Sequence, residues 1–231
     1  MKTRLSRDRF KNAFSLVELL VVIVIIGIIG SFAVPAAGQL LKGSALTQAA
    51  NIFTDQTASA RQQALTRNRS VEVRFYRFAD PEQPGETVTD PNTGYFRAMQ
   101  YFEIAEGGIP NPVGRYTRFP STVIMNPDPT FSTMMSDTPT SPNKNIDPDL
   151  PRGVGQNYTY LSFRFQPDGA TSLSPTGGPS NGLWFITVHL LNDLPNAKNG
   201  IGPALNQVHN FFTWMIDPVS GSSKIMRPGA K

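Results

Sequence analysis

The sequence predicts an α+β fold: a long N-terminal helix, transmembrane in its first half and amphipathic in its second, packed on an antiparallel β-sheet head with long loops. Three observations predict it. An apolar run opens the chain, "FSLVELLVVIVIIGIIGSFAV" (14–34); a stripe of small apolar residues at helical spacing follows; and segments that alternate apolar with polar residues fill the remainder. With 231 residues, 39% of them apolar and 16% charged, the chain holds one ordinary core plus an anchor. The expected organisation is a basic leader over 1–13, a transmembrane helix over 14–34, an amphipathic helix over 35–70 and a β-rich head over 71–231.

The leader carries Lys2, Arg4, Arg7, Arg9 and Lys11 against Asp8 alone, which accounts for the whole formal charge of +4; everything after it is formally neutral. A basic cluster directly before an apolar span stays in the cytoplasm and sends the C-terminal remainder across the membrane. Topology therefore explains the basic balance, and nucleic acid is not expected as a partner on that ground.

Phe14 to Val34 is 21 residues with one charge. As a helix it rises about 31 Å, which matches a hydrocarbon core of about 30 Å, so the inner-membrane lipid is an expected partner. A cleavable secretory signal is the alternative, with Ala36 and Ala37 as its small residues, but such a signal has an apolar region of roughly 7 to 15 residues. The one charge is Glu18. A carboxylate in a membrane segment costs about 2.5 to 3.5 kcal/mol on insertion scales and calls for a partner. No basic residue follows it within the span, so the partner comes from elsewhere.

Ala13, Phe14 and Glu18, followed by "LLVVIVIIGIIG", resemble the N-terminal methylation motif of type IV pilins and type II secretion pseudopilins. The resemblance implies that a prepilin peptidase cuts between Ala13 and Phe14 and N-methylates the new Phe14 amine. It implies further that Glu18 neutralises the Phe14 amine of a neighbouring pilin or pseudopilin subunit as a fibre assembles. The family usually has Gly where Ala13 stands, and Ala is small enough to fit. The implied location is the bacterial inner membrane, crossed once, with the N-terminus cytoplasmic and the head periplasmic. Pro35 denies the helix one backbone hydrogen bond and is expected to kink it; family members commonly carry Pro at this distance from the cut.

From Ser44 to Thr66, Leu46, Ala49, Phe53, Thr57, Ala60 and Ala64 recur at three- and four-residue spacing, with Ala45 and Ile52 widening the stripe. That face suits a sheet, while Gln48, Asp55, Arg61 and Gln62 stay wet. Asn68 is the expected helix stop.

"VEVRFYRF" (71–78) alternates Val71, Val73 and Phe75 with Glu72, Arg74 and Tyr76, the pattern of a half-buried strand. Further strands are expected at 95–104, 158–165, 183–191, 209–217 and 222–227, with turns at "QPDGATS" and at Asp217 to Gly221. The order "SARQQALTRNRSVEVRF", "FRFQPDG" and a terminal hairpin is similar to the GspH/FimT-type minor pseudopilin head. More narrowly, "GSALTQAANIFTDQ", "ARQQALTRNRSVEVRFYRFADPE" and "FRAMQYFE" resemble the prepilin-type family called Verru_Chthon cassette protein D. Residues 105–157, rich in Pro, Gly, Asn, Asp, Ser and Thr, read as long surface loops. Their acids Asp128, Asp137, Asp147 and Asp149 match no ion loop and read as solvated.

No enzyme is expected. The two histidines, His189 and His209, stand in no catalytic pattern, there is no cysteine, and no nucleophile elbow or phosphate loop occurs. No cofactor and no metal are expected. Two rivals to a fibre subunit stay open: a DNA-binding minor pilin using Arg61, Arg67, Arg69, Lys224, Arg227 and Lys231, and an exported protein that is anchored but never polymerises.

Overall fold

The computed structural model describes residues 15–83, 85–87, 90, 93–176, 182–191 and 210–228, with the backbone alone for 32–41. The chain divides into two compact units, Met1–Lys42 and Gly43–Lys231. One helix, α1 (Leu16–Arg67), contributes to both. The chain is helical at Pro35; its side chain, and with it the expected kink, lies outside the described residues.

In the first unit, the large apolar side chains from Leu16 to Ile29 are all exposed, on every side of the helix. Among the described residues no helix is long and apolar enough to cross a membrane. The expected span, 14–34, begins and ends outside the described side chains.

In the second unit, α1 buries the face that its spacing predicts: Leu46, Ala49, Phe53, Thr57, Ala60 and Ala64 are all nearly inaccessible. Four of these six are Ala or Thr, so the helix axis can approach the sheet closely, and Phe53 supplies the bulk. Its ring lies 5.9 Å from Phe75, 5.0 Å from Phe119, 5.9 Å from Phe212 and 5.7 Å from Trp214. The helix closes at Asn68, which takes the left-handed conformation (φ 52°) that Asn tolerates better than most residues. Arg61, expected in water, is half-buried and donates from Nε to the Gly169 carbonyl at 3.4 Å.

The head is an antiparallel sheet of nine strands: β1 (Val71–Phe78), β2 (Tyr95–Ile104), β3 (Pro110–Pro112), β4 (Thr117–Arg118), β5 (Val123–Met125), β6 (Thr159–Phe165), β7 (Trp184–Leu190), β8 (Phe211–Ile216) and β9 (Ser223–Met226). Along the sheet the order is β6-β1-β2-β5-β7-β8-β9, with β3 and β4 also paired to β2. The α+β expectation holds, and the six expected strands are present.

β3, β4 and β5 arise inside the stretch read as loops. They are two or three residues long, and β3 begins and ends on Pro, so none carries a legible alternation. β5 matters most, because it joins β1, β2 and β6 to β7, β8 and β9, meeting β2 only at Phe96 and Met125. Beyond β5 the chain leaves the ladder but stays on β7. The Ser132 hydroxyl accepts from Thr187 N–H at 3.1 Å, and the Thr133 hydroxyl accepts from Phe185 N–H and donates to Leu183 C=O, both at 2.9 Å. Side chains here occupy a strand edge in place of backbone.

The half-buried reading of β1 is corrected. Val71, Val73 and Phe75 face α1 as expected, but Glu72, Arg74 and Tyr76 on the other side are buried too. The cover is the 141–158 loop, whose Leu150, Val154 and Tyr158 pack with Tyr76, Phe78 and Phe102. This also corrects Asp147, read as solvated. It is buried and ion-paired to Arg74, which also pairs with Glu72 and sits 4.5 Å from the Phe102 ring and 4.3 Å from the Tyr160 ring. A second buried group is Asp80 with Arg97 and Arg118, where Arg97 also binds Glu86 at 2.8 Å.

Truncating Phe53→Ala removes the ring shared by β1 and β8 and is expected to cost about 3 to 5 kcal/mol. Asp55→Ala, on the wet side of the same helix, is expected to stay within about 0.5 kcal/mol. Denaturant unfolding of the full chain in detergent, followed by Trp fluorescence, compares the two; equal midpoints would remove Phe53 from its central place.

Candidate functional site

The site predicted from sequence lies at the start of α1. Ser15 precedes the first helical residue, and its carbonyl accepts the Leu19 N–H at 3.2 Å, which makes Ser15 the N-cap. Glu18 is the acid of the first turn. It makes no ion pair or hydrogen bond with any described residue, and its neighbours along the helix are Leu16, Val17, Leu19, Leu20, Val21 and Val22, all exposed. Ala13 and Phe14, the expected processing residues, lie outside the described residues.

Chemically, this turn combines one carboxylate, a set of backbone N–H groups with no intrahelical acceptor, and a surround of branched hydrocarbon. Leu16, 80% exposed, shows how little of that hydrocarbon the chain covers by itself. An apolar surface of this extent, continuous around a helix, is covered in use by lipid or by other protein. Apolar patterning finds the helix and the acid but does not single out Ser15; the signal that marks it is a Ser immediately before the apolar run.

The basic residues proposed for DNA are largely occupied. Arg67 pairs with Glu103 at 3.1 Å, Arg69 lies 3.8 Å from Glu103 and 3.4 Å from Glu106, and Arg227 donates to the Thr47 hydroxyl at 3.2 Å. The carboxylates beside Arg67 and Arg69 reduce the phosphate attraction that carries nucleic-acid affinity, while Arg227 meets only a neutral hydroxyl and keeps its charge. Lys224 is exposed on β9, and Lys231 lies outside the described residues.

The other candidates stay apart. Among the described residues no group of three or more acids and histidines is placed to hold a metal ion. His189, left as structural or exposed, is buried in β7 with its ring Nδ1 3.0 Å from the Leu190 carbonyl oxygen. His209 lies outside the described residues.

The covered outer face of the head has an electrostatic signature of its own. Desolvation raises the phenol pKa of Tyr76, Tyr158 and Tyr160, with Arg74 nearby opposing the shift, and pushes Tyr116 up to about 12. Burial likewise keeps the Tyr95 phenol above its ordinary range.

Residues 8–34 match the family model described as the prokaryotic N-terminal methylation motif. No curated protein and no solved structure gives a match.

A phenol whose pKa is raised in the folded state contributes full stability below its unfolded value of about 10, and that contribution is lost as pH rises toward and through the folded value. Phenolate absorbance during alkaline titration is therefore expected to lag that of the urea-unfolded chain above about pH 10, then to rise as the head unfolds. Coincident titration curves for folded and unfolded chain would contradict the buried tyrosine face.

Proposed function

We propose that this type IV pilin-like chain, so classed by its N-terminal methylation motif, is a structural subunit that a prepilin peptidase matures and that assembles into a type II secretion or type IV pilus-like fibre. The observation that carries the reading is Glu18: one carboxylate in an exposed apolar stem, four residues after Phe14, with no partner among the described residues.

The physical logic runs through charge. Cutting after Ala13 creates an amine at Phe14 that would sit at the membrane boundary, and methylation leaves it positive. Glu18 of one subunit and Phe14 of the next are each costly in a low-dielectric setting and together neutral. Breaking such a pair by removing one partner costs several kcal/mol, because the other charge is left uncompensated. The pair therefore selects one axial stagger between subunits more than it adds net stability. Lipid would cover residues 14–34 before assembly, with the leader in the cytoplasm and the head in the periplasm of a bacterial inner membrane.

A DNA-binding role is weakened at the end of α1, where Glu103 and Glu106 meet Arg67 and Arg69. A plain membrane tether gives Glu18 no purpose.

Mass spectrometry of the mature chain is expected to show a methylated Phe14 as the first residue; an N-terminus at Met1, or beyond Ala37, would discard the maturation. Glu18→Ala is expected to leave membrane insertion intact and to reduce fibre incorporation by tenfold or more, read by co-fractionation with sheared fibres. Normal incorporation of that variant would favour the tether.

A further inference from the structure

We infer that the 141–158 loop is a lid that lifts in one piece, and that the face beneath it binds an acidic segment of a partner protein, in the place that Asp147 holds while the lid is shut. The inference concerns the head alone and is independent of the stem and of Glu18.

The bonding of the loop supports the lid. Thr140 and Tyr160 exchange backbone hydrogen bonds at 2.7 and 2.9 Å, so the two ends of the loop meet. Between them the chain bonds to itself. The Ile146 and Asp147 N–H groups reach the Asn143 carbonyl, Leu150 and Gly155 bond each other twice, and the Asn157 N–H reaches the Val154 carbonyl. Side chains do likewise: the Asp147 carboxylate accepts the Asn143 N–H at 2.7 Å, and the Tyr158 hydroxyl donates to the Pro148 carbonyl at 2.9 Å. Closed ends and internal bonding make this an Ω-loop. From 143 to 157, no backbone group bonds any described residue of the sheet. The loop is fastened by the buried Asp147–Arg74 pair, the exposed Arg152–Glu82 pair at 2.8 Å and the packing of Leu150, Val154 and Tyr158. An exposed pair holds little. Lifting the loop therefore breaks one buried ion pair and one set of apolar contacts, and leaves both the sheet ladder and the loop's own turns in place, as a local opening unit requires.

The chemistry of the covered face supports the site. Arg74 lies against the Phe102 and Tyr160 rings, gives its Nε to Glu72 and turns Nη1 to Asp147. Glu72 is shared with Arg164 at 3.0 Å. With the lid lifted, two arginines face one carboxylate, so the patch is left positive and Arg74 Nη1 loses its acceptor. A guanidinium held on aromatic rings in a fixed orientation is suited to a charge-assisted bond with a new carboxylate. Tyr76, Phe78 and Phe102, which pack with Leu150 and Val154, supply an apolar wall beside it. The pattern that fits is the loop's own: an acid with an apolar residue three positions later, as in Asp147 and Leu150. A partner's segment reaches Arg74 only in the fraction of heads whose lid is open, so the lid sets the apparent affinity.

The test uses the full chain in detergent. The chain has no cysteine, so a single thiol reports access. Ala98 is buried beneath the lid and Ala60 is buried against α1's side of the sheet. Ala98→Cys is expected to react with iodoacetamide about tenfold or more faster than Ala60→Cys, and adding Asp147→Asn is expected to speed the first by roughly tenfold while leaving the second unchanged. Equal rates at the two positions, or equal acceleration of both by Asp147→Asn, would make the loop part of the core and overturn the lid. The probe for the site is a fluorescently labelled peptide of residues 145–152, followed by anisotropy. It is expected to bind the Asp147→Asn chain about tenfold more tightly than the parent chain, and to lose about tenfold when the peptide itself carries Asp147→Asn. That last change leaves the folding of the head untouched. No binding to the Asp147→Asn chain, or equal binding of the two peptides, would overturn the acidic-segment site.

Discussion

The head depends on one ring. Phe53 projects from a helix face otherwise built of Ala and Thr, and it reaches Phe75 on β1 and both Phe212 and Trp214 on β8. Those strands lie in parts of the sheet that β5 alone connects, through a single paired position with β2. Hydrogen bonding along the sheet is thin where the two parts meet, so cohesion passes to the aromatic cluster beneath it. Burial on this scale is non-directional and needs no exact register, which suits a junction that the ladder barely supports.

Charge burial does for the outer face what aromatic burial does for the inner one. Arg74, Glu72 and Asp147 draw the 141–158 loop over β1 and β2, and the Asp80 group does the same for the connection between those strands. Buried ion pairs add little net stability when well formed and penalise any arrangement that separates them. In the head they fix where loops sit whose few apolar residues, Leu150, Val154 and Tyr158 in the 141–158 segment, pack against the sheet, and the stem has the same arithmetic with a single acid. Glu18 and Asp147 thus illustrate one principle at two sites, a costly carboxylate kept because its position is exacting.

The helix and the long strands were legible because burial on one side leaves a period. Leu46 to Ala64 repeats every three or four residues, and β1, β2, β6 and β8 alternate. What lay on the far side of β1 was not legible. Glu72, Arg74 and Tyr76 look the same in sequence whether water or a loop faces them, and the residue that decides it, Asp147, stands 73 positions from Arg74. β3, β4 and β5 are too short to show a period at all. At the candidate site, residue chemistry alone marked Glu18 as anomalous, and the methylation-motif match extends over that same stretch. Ser15 went unremarked because a hydroxyl beside a long apolar run carries no weight until the helix start is located.

The hydroxyl contacts between 132–133 and β7 bear on how such a head diversifies. A true neighbouring strand would tie the chain to β7 at every second residue, and inserting one amino acid would invert everything after it. After the Asn126 N–H has bonded the Thr187 carbonyl, Ser132 and Thr133 hold the edge through their hydroxyls alone, and the residues between carry no pleat. Residues 127–131, ahead of that grip, pair with no strand, so a change of length there leaves the ladder between β5 and β7 in phase, whereas Met134 and Met135 just after it are buried in the core and hold their composition fixed.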